Sequence, residues 1–288
     1  MRILRMTTKR IALASTVLTL AALAAAPGTM QAQSGADLMK RAMDKQAERL
    51  AGVENVTITQ EVMGMELVVY MEKREGEGGP ILVPVTTIMA GIPNAIPQDE
   101  ASADWSNPFQ KEWADRSRVI GEEEVDGETC QILAIEDFTD LEVPGLPGGQ
   151  TEAGELTPKM IRFSVDEDDL VMRKMDMDAE VTQEDGSIAP VKMAVLMSDY
   201  RETDGYLHPF KTHTVTEGMM DAMDMDKEEL KAQLEEMKSQ MANMPEAMQG
   251  MMATQIERLE AMIGEGGGIE VTITVKSVKV NAGPPGGG

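Results

Sequence analysis

The chain has one cysteine, Cys130, and two histidines, His208 and His213, in 288 residues. A single thiol cannot close an intramolecular disulfide or supply a cysteine zinc site, and two imidazoles leave little for a histidine one. Bases are scarce beside acids: 26 Lys+Arg stand against 50 Asp+Glu, a formal net charge of −24. Such a field repels phosphate backbones and anionic lipid head groups, which rules out nucleic acid as a partner. No Gly-x-Ser-x-Gly elbow, phosphate loop, dinucleotide fingerprint or Asp-x-Asp-x-Asp-Gly calcium loop is present. These absences leave no positive sign of catalysis or of a cofactor, and the chain is read as non-enzymatic. Acidic runs such as Glu122–Glu124 and Asp168-Asp169 fall at turns, where a solvated face accounts for them. Cys130 alternates with Ile132 and Ala134 and has acids, not bases, nearby, which predicts a buried, unreactive thiol.

Aromatic residues are few, two Trp, three Tyr and four Phe, whereas methionine reaches 26. The interior is therefore expected to be soft and deformable. The one long apolar run, Ile11–Ala26, follows Arg2, Arg5, Lys9 and Arg10, precedes small residues near Ala32, and carries no acid. That order is a secretory signal peptide, and the run is shorter than the ~20 residues a membrane span needs. Residues 1–32 are expected to be removed near Ala32, giving an exported chain with no integral span. Its 22 remaining bases against 50 acids leave a net charge of −28.

Beyond the leader, Leu38, Met39, Ala42, Met43, Ala47 and Leu50 recur at helical spacing, with Ser34 or Asp37 as cap. From Asn55 the period becomes two. Val56 and Ile58 give way after Gly64 to Met65, Leu67, Val69 and Met71, as in a hairpin. Ile81–Met89 reads as a strand that Pro84 confines to an edge or bulge. Gly91–Trp113 reads as irregular, and Val125-Asp126-Gly127 as a tight turn between two short strands. Leu141–Thr157 reads as a surface loop, followed by a strand at Lys159–Val165. Val171–Val181 is the clearest strand, with Met175, Met177, Ala179 and Val181 on one face and Lys174, Asp176, Asp178 and Glu180 on the other. Val191, Met193, Val195 and Met197 repeat the pattern, and Ile269–Val275 repeats it again, shifting parity near Ser277. These strands must close on a shared interior as a sandwich or a curved, partly closed barrel. Met175, Met177, Val191, Met193, Val195 and Met197 are its expected lining. His208 and His213, five residues apart, should point to opposite faces and make a poor metal pair.

About fifty residues separate the last two strands, too many for a hairpin connection. Asp226 and Glu229 resemble a capping box, after which Leu230, Leu234, Met237 and Met241 form one helical stripe. Pro245 breaks the segment. Met248, Met252, Ile256, Leu259 and Ile263 form a second stripe, ending in glycines. The expected result is a helical hairpin whose first arm, Asp226–Asn243, would run about 27 Å. Three readings of its methionine face stay open: internal packing, a deformable lid or docking surface for a lipid, acyl chain or protein, and a thioether site for Cu(I). Its surplus of acids argues that it acts by burying apolar groups and not by charge attraction.

The order of elements resembles the LolA-like family of outer-membrane lipoprotein-sorting proteins, exported carriers built on an unclosed antiparallel barrel. The likeness rests on the helix Ala36–Leu50 before Asn55–Val62, the Val125-Asp126-Gly127 turn before Cys130-Gln131-Ile132-Leu133, and Ile161–Asp166 leading into Val171–Met177. Ser198–Gly205 with Pro209, and the closing Ile269–Asn281, complete it. It covers most of the mature chain except the insertion, where the family has a direct hairpin. The resemblance implies a mainly β fold with an N-terminal helix and an unclosed barrel over residues 33–281, into which the chain's own pattern inserts the helical hairpin 218–268; the Gly/Pro-rich 282–288 reads as a flexible tail. It also implies a periplasmic carrier for lipids or lipidated proteins, with the acyl chain of a lipoprotein as partner and an envelope transporter or receptor as a further one.

Overall fold

Ser34 starts the first helix, α1 (Gly35–Arg49), by accepting the Asp37 N–H on its hydroxyl at 3.1 Å, which satisfies one of the donors a helix leaves open at its start. The helix buries Leu38, Met39 and Ala42 on one face. The computed structural model describes residues 34–76, 79–89, 92–93, 111–139, 150–151, 154–183, 185–218, 222, 227–241, 256 and 269–285. The expected leader at 1–32 lies outside them.

Twelve strands follow: β1 (Asn55–Val62), β2 (Met65–Gly76), β3 (Gly79–Met89), β4 (Ile92–Pro93), β5 (Arg118–Val125), β6 (Glu128–Ile135), β7 (Gln150–Thr151), β8 (Gly154–Asp166), β9 (Met172–Thr182), β10 (Ile188–Thr203), β11 (Tyr206–Glu217) and β12 (Ile269–Val280). They form one antiparallel sheet in the order β4-β3-β2-β1-β12-β11-β10-β9-β8-β6-β5, with β7 beside β8. Its end strands, β4 and β5, do not pair with each other among the described residues, so the barrel is unclosed. Three of its turns have two residues at positive φ: Met63-Gly64 (51° and 73°), Asp126-Gly127 (55° and 85°) and Asp204-Gly205 (49° and 84°). That backbone matches the twist of paired strands, which explains why Asp-Gly sits at two of them.

The sheet is strongly curled. Helix α1 touches both β3 and β5, which stand nine strand spacings apart in the sheet order. Flat, those strands would lie about 43 Å apart, whereas a 15-residue helix spans about 22 Å. One-residue bulges supply the bending: Val85 is skipped opposite β2, Lys276 opposite β1, Ile120 opposite β6, and Lys159 and Arg173 opposite β9 and β8. The first lies next to Pro84 and the second next to Ser277, close to where the sequence placed its interruptions.

Two apolar clusters share the job of a core. One gathers Phe163, Leu133, Ile135, Met175 and Val195 under Leu38, Met39 and Ala42; the other gathers Val56, Ile58, Met71, Phe210 and Val275 under Leu50. Two sequence readings need correction. The supposed irregular stretch ends in a short helix, α2 (Lys111–Ala114), whose Trp113 is 1% exposed and packs on Phe163 with ring centroids 5.3 Å apart. The supposed loop Leu141–Thr157 already contains β7 and the start of β8; the bulge at Lys159 interrupts the period-two pattern there and hides the strand's first half.

Candidate functional site

Where the two clusters meet, beneath the last turn of α1, a cleft of roughly 690 Å³, partly open to solvent, enters the curled sheet. Gln46, Arg49 and the C-cap Leu50 form one wall, with Leu82 of β3 beside them. The turn between β8 and β9 contributes Leu170 and Val171, and β9 adds Met172. Met197 and Tyr200 of β10, with Tyr206, Leu207, His208 and Pro209 of β11, complete it. Five separate stretches of chain thus build a mostly apolar cleft, much of whose space is shared with solvent.

The β8–β9 turn is held under tension. Leu170 adopts φ +53°, a conformation that costs a branched residue about 1–2 kcal/mol. Its N–H donates to the Asp166 carbonyl at 3.1 Å, while the Asp166 carboxylate accepts the N–H groups of Asp168 and Asp169, both at 2.9 Å. The other carboxylate oxygen takes Nε and Nη2 of Arg173 at 2.9 and 2.7 Å. Asp166 and Arg173 are 2% and 7% exposed. Burial pushes the Asp166 carboxyl up, but the Asp169 and Asp168 amides and Arg173 outweigh it and hold its pKa below the usual carboxylate range. Burial likewise opposes the charge on Arg173, and Asp166 overcomes it. The guanidinium lies 5.0 Å from the Tyr200 ring centroid, and the Tyr200 hydroxyl donates to the Met172 carbonyl. Burial raises the pKa of that hydroxyl.

Across the cleft, Arg49 Nη2 donates to the Asp169 carbonyl at 2.6 Å and stands 3.8 Å from its carboxylate. His208 stacks on Tyr206 with centroids 5.6 Å apart and shares a 3.2 Å hydrogen bond between Nδ1 and the tyrosine hydroxyl. Burial drives its pKa down to about 4, so the ring is neutral at pH 7. His213 lies elsewhere, bonded to Thr272 at 3.0 Å and to Glu270 at 3.3 Å. A second depression of about 420 Å³ is lined by Arg162, Asp176, Asp178, Lys192 and Glu217 among others. Arg162 pairs there with Asp178 at 3.2 Å, and so charged a lining suits solvent better than an acyl chain.

Of the residues singled out from sequence as interior lining, Met175, Met177, Val191, Val195 and Met197 are buried and Met193 is half-buried. Met197 alone among these six lines the cleft; Met177 and Met193 border the charged depression. In the insertion, Gly218 leaves β11 at φ +77°, where a Cβ would lie 2.1 Å from the Pro190 carbonyl oxygen, so only glycine fits. Ala222 is buried in the first cluster, and its carbonyl accepts Gln183 Nε2 at 2.9 Å. A helix, α3 (Lys227–Met241), carries Leu230, Leu234, Met237 and Met241. Leu234 is buried and Met237 half-buried; Ile256 is helical and buried. Met248, Met252 and Leu259, and the Met219-Met220 and Met251-Met252 pairs behind the copper reading, lie outside the described residues.

The sequence reading missed Gln46, Arg49, Leu82, Tyr200 and His208 as neighbours. Only the half-polar C-terminal turn of α1 hinted at a site, and the partners come from strands far along the chain.

No family profile matches the sequence, and no curated protein does. Among solved structures, the chain is similar to an outer membrane lipoprotein-sorting protein domain from Vibrio parahaemolyticus (10% identity, TM-score 0.38, covering 85% of this chain and 94% of that one). It is similar also to a DUF1329 family protein from Desulfovibrio piger (13% identity, TM-score 0.37, covering 87% and 93%) and a LolA superfamily protein from Nitrosomonas europaea (9% identity, TM-score 0.33, covering 85% and 94%). No helix among the described residues is long and apolar enough to cross a membrane.

Proposed function

We propose that the chain is an exported periplasmic carrier or binding protein for lipids or lipidated proteins, acting without catalysis, and that an acyl chain occupies the cleft beneath α1. The observation that carries this reading is the cleft itself, an open apolar site built from Leu50, Leu82, Leu170, Val171, Met197 and Leu207 in a chain otherwise rich in charge. In this reading residues 1–32 are removed on export and residues 33–281 form the binding domain. Met197 touches the ligand. Met175, Met177, Val191, Met193 and Val195 form a compliant layer that lets the interior adjust, since methionine changes rotamer at little cost. The insertion at 218–268 serves as lid or docking face through Leu230, Leu234, Met237 and Met241 on its first arm and Met248, Met252, Ile256 and Leu259 on its second. An envelope transporter or receptor would take the cargo onward.

The test is uptake of a fluorescent long-chain fatty acid by the purified protein. Gln46 is half-buried on α1 and lines the cleft, so Gln46→Trp fills the space from a helix surface that tolerates the change. At least a tenfold loss of affinity is expected, about 1.4 kcal/mol, with urea unfolding unaltered. A wild-type protein that takes up no probe, or a Trp variant that binds it equally well, overturns the reading.

A further inference from the structure

The cleft's walls are mostly apolar, and the one charged side chain among its lining residues is the guanidinium of Arg49. Gln46 and Arg49 stand one turn apart on α1, and His208 faces them from β11. Arg49 and Gln46 keep donor capacity that the described residues do not use. Arg49 commits Nη2 to the Asp169 carbonyl, leaving Nε and Nη1. The Gln46 amide has no partner among the described residues. His208 engages Nδ1 with the Tyr206 hydroxyl. No Asp or Glu lines the cleft, although 50 of the 288 residues are acidic.

Resting on the lipid-binding reading above, we infer that the cleft selects an amphiphile with a single acyl chain and an anionic oxygen head group, carboxylate or phosphate, which Arg49 holds with Gln46 as a further donor. Two neighbouring features bear on this. The Asp169 carboxylate competes for Arg49 from 3.8 Å but does not line the cleft. The carbonyl end of α1, which would repel an anion, is covered by Lys73, whose Nζ donates to the Leu50 carbonyl at 3.4 Å. A planar guanidinium meeting a carboxylate or phosphate out of bulk water gives strong, directional hydrogen bonds. A neutral ester of the same chain forfeits the charge.

The experiment displaces a bound fluorescent fatty acid, below micellar concentrations, with palmitate, palmitoyl lysophosphatidic acid or methyl palmitate. The two anions should compete about tenfold better than the ester, and whichever anion is tighter identifies the head group. Arg49→Gln should erase the preference for the anions over the ester, and Arg49→Lys should restore part of it. Asp169→Asn keeps the backbone carbonyl that Arg49 uses and removes the competing carboxylate, so it should widen the preference, a direction that simple disruption of the turn does not produce. Equal competition by ester and anions, an undiminished preference in Arg49→Gln, or a narrower one in Asp169→Asn overturns the head-group inference and leaves the lipid reading standing. If the fluorescent fatty acid itself does not bind, the lipid reading falls and takes this inference with it.

Discussion

Replacing Asp166 with Asn should unfold the rim of the cleft before anything else. The carboxylate accepts four hydrogen bonds, two from the turn amides and two from Arg173. An Asn oxygen can still take the turn amides, but its NH₂ then faces the guanidinium, donor against donor. Arg173, 7% exposed, would stay charged without its hydrogen-bonded partner, the Glu128 and Asp169 carboxylates standing off at 4.0 and 3.9 Å, and breaking one side of a buried pair costs about 3–5 kcal/mol. In a domain of this size that lowers the melting temperature by roughly 10 °C. Arg173→Met in the Asn background should recover part of the loss, because a buried pair removed as a unit is often nearly neutral. The pH dependence follows from linkage. The folded pKa of Asp166 is depressed below its unfolded value of about 3.9, so its contribution is full above that value and fades as pH falls through the folded pKa. Urea titrations of wild type and Asp166→Asn at several pH values would show a constant gap near neutrality that narrows in acid. A gap under about 1 kcal/mol at pH 7, or one that widens in acid, refutes the account.

Three further outcomes are expected. Gly35→Ala puts a Cβ 2.3 Å from the Ser117 carbonyl oxygen, so the start of α1 must shift, and thermal unfolding should report a loss of about 1–3 kcal/mol; an unchanged melting temperature would show that the start of the helix does not pack on Ser117. Cys130 is fully buried and burial pushes its thiol pKa up to about 11, so a thiol reagent at pH 8 should modify the native protein far more slowly than the unfolded one; equal rates would contradict the burial. Leu234→Asp places a charge at a position 7% exposed, and stopped-flow uptake of a fluorescent fatty acid should change if α3 acts as a lid; unaltered uptake with lowered stability would reduce that face to packing.

Much of the fold was legible because its signals are local. Period-two alternation over Met175–Val181 and Val191–Met197 marks which side chains face inward without any knowledge of the neighbours, since successive residues of a strand point to opposite faces. Asp126-Gly127 and Asp204-Gly205 declare their turns because only a few residues accept positive φ at both positions. The first arm of the insertion, expected at Asp226–Asn243, is observed at Lys227–Met241, because a helical stripe and a capping residue are short-range features. Trp113 and the first half of β8 escaped for the converse reason: four residues of helix carry no periodicity, and a bulge at Lys159 breaks the alternation.

The cleft was settled at the tertiary level. Helical spacing in residues 37–50 separates the polar side of α1 from its buried side, but it says nothing of what Gln46 and Arg49 will face. Leu82, Leu170, Met197 and His208 become their neighbours because bulges curl the sheet until β3 and β5, nine strands apart, both reach one helix. Curvature accumulates over the whole sheet, a few degrees and one skipped residue at a time. No window of sequence contains that sum, and so the residues that line the space are those the sequence distributes most widely.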